Sequence, residues 1–173
     1  YFEGEADSYL LSGTSRSFST VDTATSWALG QLNFTFGSWN LNLAVPSAEG
    51  WHTGAYEGAQ RFGFSGQHPG LDLYGESRGC NEVAGRFVVD EVSLDGSGYP
   101  LAFSARFELH CEGFDKAVFG QIAYNSSTPI VAHSIVPTAA FGTQATGVTG
   151  QSRPIAVTNS GPDPLHVASA SVT

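Results

Sequence analysis

The chain is 173 residues long, 41% hydrophobic and 13% charged, with a net charge of −9. This hydrophobic content supplies a core and excludes wholesale disorder. Lys116 is the only lysine, so no basic stripe exists for nucleic acid or an anionic membrane surface, and no apolar run approaches the ~20 residues of a spanning helix. Glycine, serine and threonine are abundant and the aromatics lean to phenylalanine, the mixture of short strands joined by tight turns. No leader-like segment opens the chain, as expected of a mature secreted protein. The two cysteines, Cys80 and Cys111, are compatible with free thiols, a disulfide or half a metal site. In a lysine-poor chain of this composition the disulfide is favoured, and with it an oxidising compartment.

Helical periodicity is nearly absent. Only Val21 to Leu29 ("VDTATSWAL") allows a helical turn, and its threonines suit strand or loop equally. In "QLNFTFGSWNLNLAV" Leu32, Phe34 and Phe36 alternate, then Trp39, Leu41, Leu43 and Val45, around a Gly37-Ser38 break. This predicts a hairpin with a glycine-first turn, its apolar face buried and Asn33, Thr35, Asn40 and Asn42 on a solvated face. Trp51 to Phe64 reads as a strand whose glycines suggest a bulge. "SGQHPGLDLYGESRGCNEVAG" is rich in turn residues and reads as a long loop, and Arg86 to Leu94 as a strand of ambiguous phase. After the turn "DGSGYP", "LAFSARFELHC" and "AVFGQIAY" complete a three-strand meander.

The segment "RFELHCEG" packs carboxylates, a histidine and a cysteine together and invites a metal or catalytic reading. Strand parity argues otherwise. Leu101, Phe103, Ala105, Phe107, Leu109 and Cys111 share one phase and face the core. Ala102, Ser104, Arg106, Glu108 and His110 share the other and face out. Cys111 and His110 therefore cannot converge on one ion. With Asp95 to Pro100 as the turn, Cys111 falls opposite roughly Ala84, and Cys80 lies just beyond, at the open end of the same hairpin. A Cys80–Cys111 bond would pin the loop "GESRGCN" to the sheet, a closure worth about 3–4 kcal/mol in the chain-entropy model. Arg106, Glu108 and His110 are expected to form a solvated charged ladder rather than a metal site.

The acidic residues near loops (Asp72, Glu76, Asp90, Glu91 and Asp95) have the oxygen chemistry calcium prefers, but "DGSG" lacks the repeated ligands of a calcium loop and reads as a turn. His68 reads as an exposed turn residue. No G-x-S-x-G elbow and no phosphate-binding loop is present, and paired carboxylates for glycoside hydrolysis are unmarked. Trp51, Tyr74 and Tyr99, at or near loops, are the candidate ligand-binding aromatics, suited to stacking on a sugar.

After Asn125 the composition changes. Residues 126–137 hold prolines and read as a linker, and residues 138–173 carry two alternating segments, Arg153 to Thr158 and Leu165 to Val172, around "NSGPDP".

Two parts of the chain resemble known families. "HPGLDLYGESRGCNEVAGRFVVDEVSLDGSGYPLAFSARFELHCEG" with "VFGQIAYN" resembles an uncharacterised domain of secreted bacterial proteins that carry a G-R-G-C-N-like loop and an F-E-x-H-C-E-G strand end. This chain has "SRGCN", where glycine or aspartate is common before the arginine. The resemblance covers residues 1–125, implies the same Cys80–Cys111 pairing and brings no established activity. "AVTNSGPDPLHVASASV" resembles the opening of the Ig-like modules of ASPM/SPD-2/Hydin type found in choice-of-anchor D surface proteins. Such modules run to about 100 residues. Residues 138–173 hold too few strands to enclose a core, so either the chain is a fragment of a longer protein or the missing strands come from a neighbouring chain or the first domain.

The expected protein is thus all-β: a disulfide-stapled antiparallel β-sandwich over residues 1–125, followed by a partial immunoglobulin-like module. Its expected role is non-enzymatic, as a structural, adhesive or assembly module of a bacterial secreted or cell-surface protein. The expected partner is a second copy or a neighbouring module, without metal or cofactor. The alternative is a carbohydrate-binding module using Trp51, Tyr74 and Tyr99, and an uncharacterised hydrolase ranks third.

Overall fold

A computed structural model describes residues 1–26, 28, 30–47, 49–130, 146–147 and 163–164. The chain divides into two compact units, Tyr1–Ile130 and Val131–Thr173. The segment expected to form a partial Ig-like module, with both its alternating stretches, lies outside the described residues apart from two short pairs, as does most of the expected linker. Ser126, just after the last strand of the first unit, donates its hydroxyl to Glu91 at 2.6 Å.

The first unit is all-β. Its strands are β1 (Phe2–Gly4), β2 (Ser15–Arg16), β3 (Thr23–Thr25), β4 (Gln31–Phe36), β5 (Trp39–Ala44), β6 (Gly54–Arg61), β7 (Gly70–Gly75), β8 (Val83–Leu94), β9 (Pro100–Cys111) and β10 (Ala117–Tyr124). Hydrogen bonding runs unbroken through ten strands in the order β2-β1-β10-β9-β8-β6-β7-β5-β4-β3. One mixed sheet therefore encloses the core where two antiparallel sheets were expected. The sheet curls: Phe2 of β1 lies 5.0 Å from Trp39 of β5, and Phe34 of β4 stacks on Phe103 of β9 at 5.1 Å. Strands distant in hydrogen-bond order thus share one aromatic interior, which is how an open sheet buries a full apolar face.

The alternation of β4 and β5 behaves largely as its spacing predicts. Leu32, Phe34, Phe36, Trp39, Leu41, Leu43 and Val45 are all buried, and Gly37, at φ 59°, takes the first position of the two-residue turn. The other face is drier than expected. Asn33 and Asn42 are buried, opposite one another in register, and the Asn33 side-chain amide Nδ2 donates to Asn42 Oδ1. That mutual bond satisfies two groups that water would otherwise have to reach.

"GLDLYG", read as loop, is the buried strand β7. Leu71 and Leu73 enter the core opposite Leu43 and Leu41, while Asp72 and Tyr74 take the opposite face. Flanking glycine and proline concealed a short strand of clean parity. The ambiguous phase of β8 has a simple cause: the register shifts between Val89 and Glu91, so Asp90 is an extra residue in the ladder. Phe87 and Val89 are buried before the bulge, and Val92 and Leu94 pack on the core after it. Asp90, turned out, receives two bonds from Arg106 at 2.9 and 3.0 Å. A second register shift lies between Tyr56 and Ala59 of β6, where Gly58 has φ 67°. On β9 parity holds from Leu101 to Cys111 with two exceptions: Leu101 is exposed and Ser104 is buried.

Cys80 and Cys111 are bonded, with Cα atoms 5.3 Å apart and Val83 opposite Cys111. Replacing both by serine is expected to cost about 3–4 kcal/mol, read as a lower urea midpoint. Gly75 is tighter still: a Cβ there would fall 2.4 Å from the Trp39 ring and 2.6 Å from the Ser38 carbonyl oxygen. Gly75→Ala is expected to cost about 2–3 kcal/mol, whereas Gly96→Ala, with nothing within 4 Å of the added carbon, should stay within about 0.5 kcal/mol by the same measurement.

Candidate functional site

The three aromatics singled out from sequence go to different places. Trp51 is half-buried and packs on Tyr56, Phe87 and Phe103, with centroids 5.4 to 6.3 Å away, so its ring belongs to the interior. Tyr99 is exposed in the β8–β9 turn, where its N–H and that of Ser97 both donate to Asp95 Oδ1. Tyr74, half-buried on β7, lines a cleft of about 560 Å³. The three do not converge.

The outer row of β9 is occupied by partners within the protein. Arg106 holds Asp90, and Glu108 faces Arg86 in register. His110 shares a hydrogen bond with Glu108 at 3.0 Å and another with the Phe114 carbonyl at 3.2 Å. This is the charged ladder that parity predicts. Glu112, from the same sequence cluster, has a separate role: its carboxylate accepts the Asn81 N–H, and its own N–H donates to the Glu82 carbonyl at 3.0 Å. Together with the disulfide, these bonds fasten the loop of residues 76–82 to the end of β9. His68 is exposed in a turn.

The cleft arises from a fork in the sheet. β6 and β7 run parallel and pair only through Gln60–Gly70 and Arg61–Leu71. Beyond that point the 76–82 loop forms the far wall, while Asn40, Asp72 and Tyr74 supply the floor from β5 and β7. The loop starts with a two-residue turn closed by reciprocal backbone bonds between Gly75 and Arg78, 2.8 and 2.9 Å. Its central residues, Glu76 and Ser77, have φ 48° and 64°, a left-handed pair with no glycine. Such backbone is costly for side-chain-bearing residues and persists where surroundings impose it. Glu76 supplies the restraint. Its carboxylate accepts from Arg16 Nε and Nη2, at 3.1 and 2.8 Å, and from the Trp39 indole N–H at 3.1 Å. The Arg16 bonds, followed by that of Trp39, pull the Glu76 carboxyl down to about 2.

Asp72 and Arg61 meet at the inner end of the cleft. Asp72 is nearly buried, opposite Asn42, and its Oδ2 is 3.8 Å from Arg61 Nε. Its Oδ1 is enclosed and accepts no hydrogen bond. Burial pushes the Asp72 carboxyl up to about 6, against the pull of the Arg61 guanidinium and the Leu73 N–H. Arg61 is held from several sides: Nη1 donates to the Asn81 carbonyl at 3.3 Å, and the guanidinium sits 5.3 Å from the Phe64 ring centroid. Arg78, on the loop, donates to the Tyr9 carbonyl at 3.0 Å. The cleft thus interleaves acceptors and donors beside one aromatic ring, with carboxylates and guanidinium groups in rough balance. Its discovery from sequence hinged on "GLDLYG", where the alternation of two leucines with Asp72 and Tyr74 was the available signal.

Comparison with known protein families, with curated proteins and with solved structures finds no match to this chain.

The raised carboxyl of Asp72 sets a pH window. The folded state holds this proton more tightly than the unfolded chain does, so Asp72 adds stability as pH falls from above 6 to below the ordinary carboxylate value. Glu76 acts in the opposite direction and at lower pH, losing its contribution as pH falls toward 2. Asp72→Asn is therefore expected to gain relative to wild type at neutral pH and to lose that advantage by pH ~4. A change in the stability difference of about 2–3 kcal/mol is expected, measured from urea midpoints across the range. A difference independent of pH would show that Asp72 titrates normally.

Proposed function

We propose that this domain is a non-enzymatic recognition module, adhesive in role, of a secreted or cell-surface protein, and that it holds a carbohydrate in the cleft along β7. The observation that carries the reading is the composition of that cleft. Asp72, Asn40, Arg61 and Arg78 offer acceptors and donors at close quarters, with Tyr74 beside them. A sugar hydroxyl both donates and accepts, and a sugar ring has an apolar face that stacks on an aromatic side chain. A strongly anionic or cationic ligand is less well matched, because Arg16 is bound to Glu76 and Arg61 stands against Asp72. The disulfide is consistent with an extracellular setting. The resemblance of the first unit to an uncharacterised domain of secreted bacterial proteins supports the same placement.

Rigidity favours recognition as well. The far wall is fastened by the disulfide, by Glu112 and by the Arg16–Glu76–Trp39 bonds, so little ordering cost remains when a ligand arrives. The expected result on a glycan array, followed by calorimetry of the hits, is saccharide binding that Tyr74→Ala weakens about tenfold or more, a loss of ~1.4 kcal/mol. Tyr99→Ala should leave it unchanged. Loss on replacing Tyr99 with no effect at Tyr74 would move the site to the β8–β9 turn. Cleavage of the bound saccharide, followed by chromatography of the products, would make the domain an enzyme and overturn the reading.

A further inference from the structure

A second cleft, of about 410 Å³, lies on the other side of Arg61. Its walls come from the end of β6 at Gly58–Arg61, from Phe64, and from the stretch Asn81–Gly85 that opens β8. Arg61 lines both clefts. Its guanidinium is therefore a shared partition, with Asp72 and Tyr74 in one direction and Phe64 in the other.

Phe64 is 77% exposed, the most exposed of the large hydrophobic residues described. Single exposed apolar side chains are ordinary on protein surfaces. This one differs in being placed: one face of its ring is engaged by the Arg61 guanidinium at 5.3 Å, while its exposure leaves the rest of the ring to solvent. A cation seated on an aromatic face limits the ring's freedom and presents the remaining surface in a fixed orientation. The recess beside it has a physical origin in the β6 bulge. Gly58 sits there at φ 67°, and a Cβ built on it would meet nothing within 4 Å, so the strand bends away and leaves open space.

We propose that the ligand groove continues past Arg61 into a second subsite at Phe64, so that the ligand is an oligosaccharide chain gripped at both Tyr74 and Phe64. The inference rests on the carbohydrate reading of the first cleft and adds chain length and direction to it. Arg61, anchored by the Asn81 carbonyl and by Asp72, has guanidinium donors positioned between two aromatic surfaces. A chain crossing the partition meets stacking, hydrogen bonding and stacking in turn. Two linked contacts also gain from effective concentration: once one unit is held, the next binds without a second loss of translational freedom.

The test is calorimetric titration of the domain with cello-, manno- and xylo-oligosaccharide series, each from mono- to hexasaccharide. Affinity is expected to rise about tenfold or more once the chain outgrows the first cleft. Phe64→Ala should remove that increment and leave the affinity for the shortest binding sugars unchanged, and Phe64→Trp should retain it. Tyr74→Ala should weaken every length. Binding of short sugars with no gain from length, or a gain that survives Phe64→Ala, overturns the second subsite and leaves the first cleft standing. Failure of all three series to bind the wild-type protein overturns both.

Discussion

Phe2 resting on Trp39 closes the sheet. Ten strands joined edge to edge have two faces, and only a curl brings one of them entirely inside. The Phe2–Trp39 contact, reinforced by Phe18 and Phe36, draws β1 toward β5 across the interior. Everything described at the cleft depends on it. Trp39 is buried because β1 covers it, so its indole N–H has only the rim on which to find an acceptor. Glu76 is that acceptor, and Glu76 in turn imposes the left-handed turn that starts the cleft wall. Gly75 completes the arrangement by letting β7 pass over the indole where any side chain would collide.

The cleft is a by-product of mixing strand directions. An antiparallel meander of this length would have kept its strands paired along their edges. The single parallel pair, β6 with β7, lasts for two residue pairs before the strands part. The gap leaves polar groups of β7 without a neighbouring strand, and the disulfide-tied loop closes around them. Burial without full hydrogen bonding is what lifts the Asp72 carboxyl. The same incomplete satisfaction costs stability at neutral pH: Asp72 Oδ1 and Arg61 Nε stay enclosed at the inner end of the cleft without hydrogen-bond partners.

Legibility in the sequence followed the strength of alternation. The β4–β5 hairpin, the parity of β9 and the Cys80–Cys111 bond could all be read, because long apolar phases admit one register and a two-residue turn admits one geometry. The phase of β8 could not, because a bulge at Asp90 reverses parity midway and leaves no compositional mark. β7 was concealed by the glycines and proline around it, and with it went the pairing of Asp72 with Arg61, which depends on a contact between strands and not on spacing along either one. Trp51 illustrates the converse. Its position near a loop suggested a surface platform, yet only the fold shows Tyr56, Phe87 and Phe103 waiting beneath it.

The pairing of β1 with β10 has a mechanical consequence. Tyr1 and Gln121 exchange backbone hydrogen bonds at 2.8 and 3.0 Å, and Phe2 lies opposite Gly120. Tyr1 and the C-terminal end of β10 thus lie side by side. Because the two strands are antiparallel, a tensile load drawn between Tyr1 and Tyr124 acts at one end of the ladder and opens its hydrogen bonds one after another instead of shearing them together. β1 is also the strand whose Phe2 covers Trp39. Tension would peel away the lid of the core first and reach the Glu76 turn next, while the disulfide keeps the far wall attached to β9. In a module tethered by both ends, pulling force and the shape of the cleft are therefore mechanically connected.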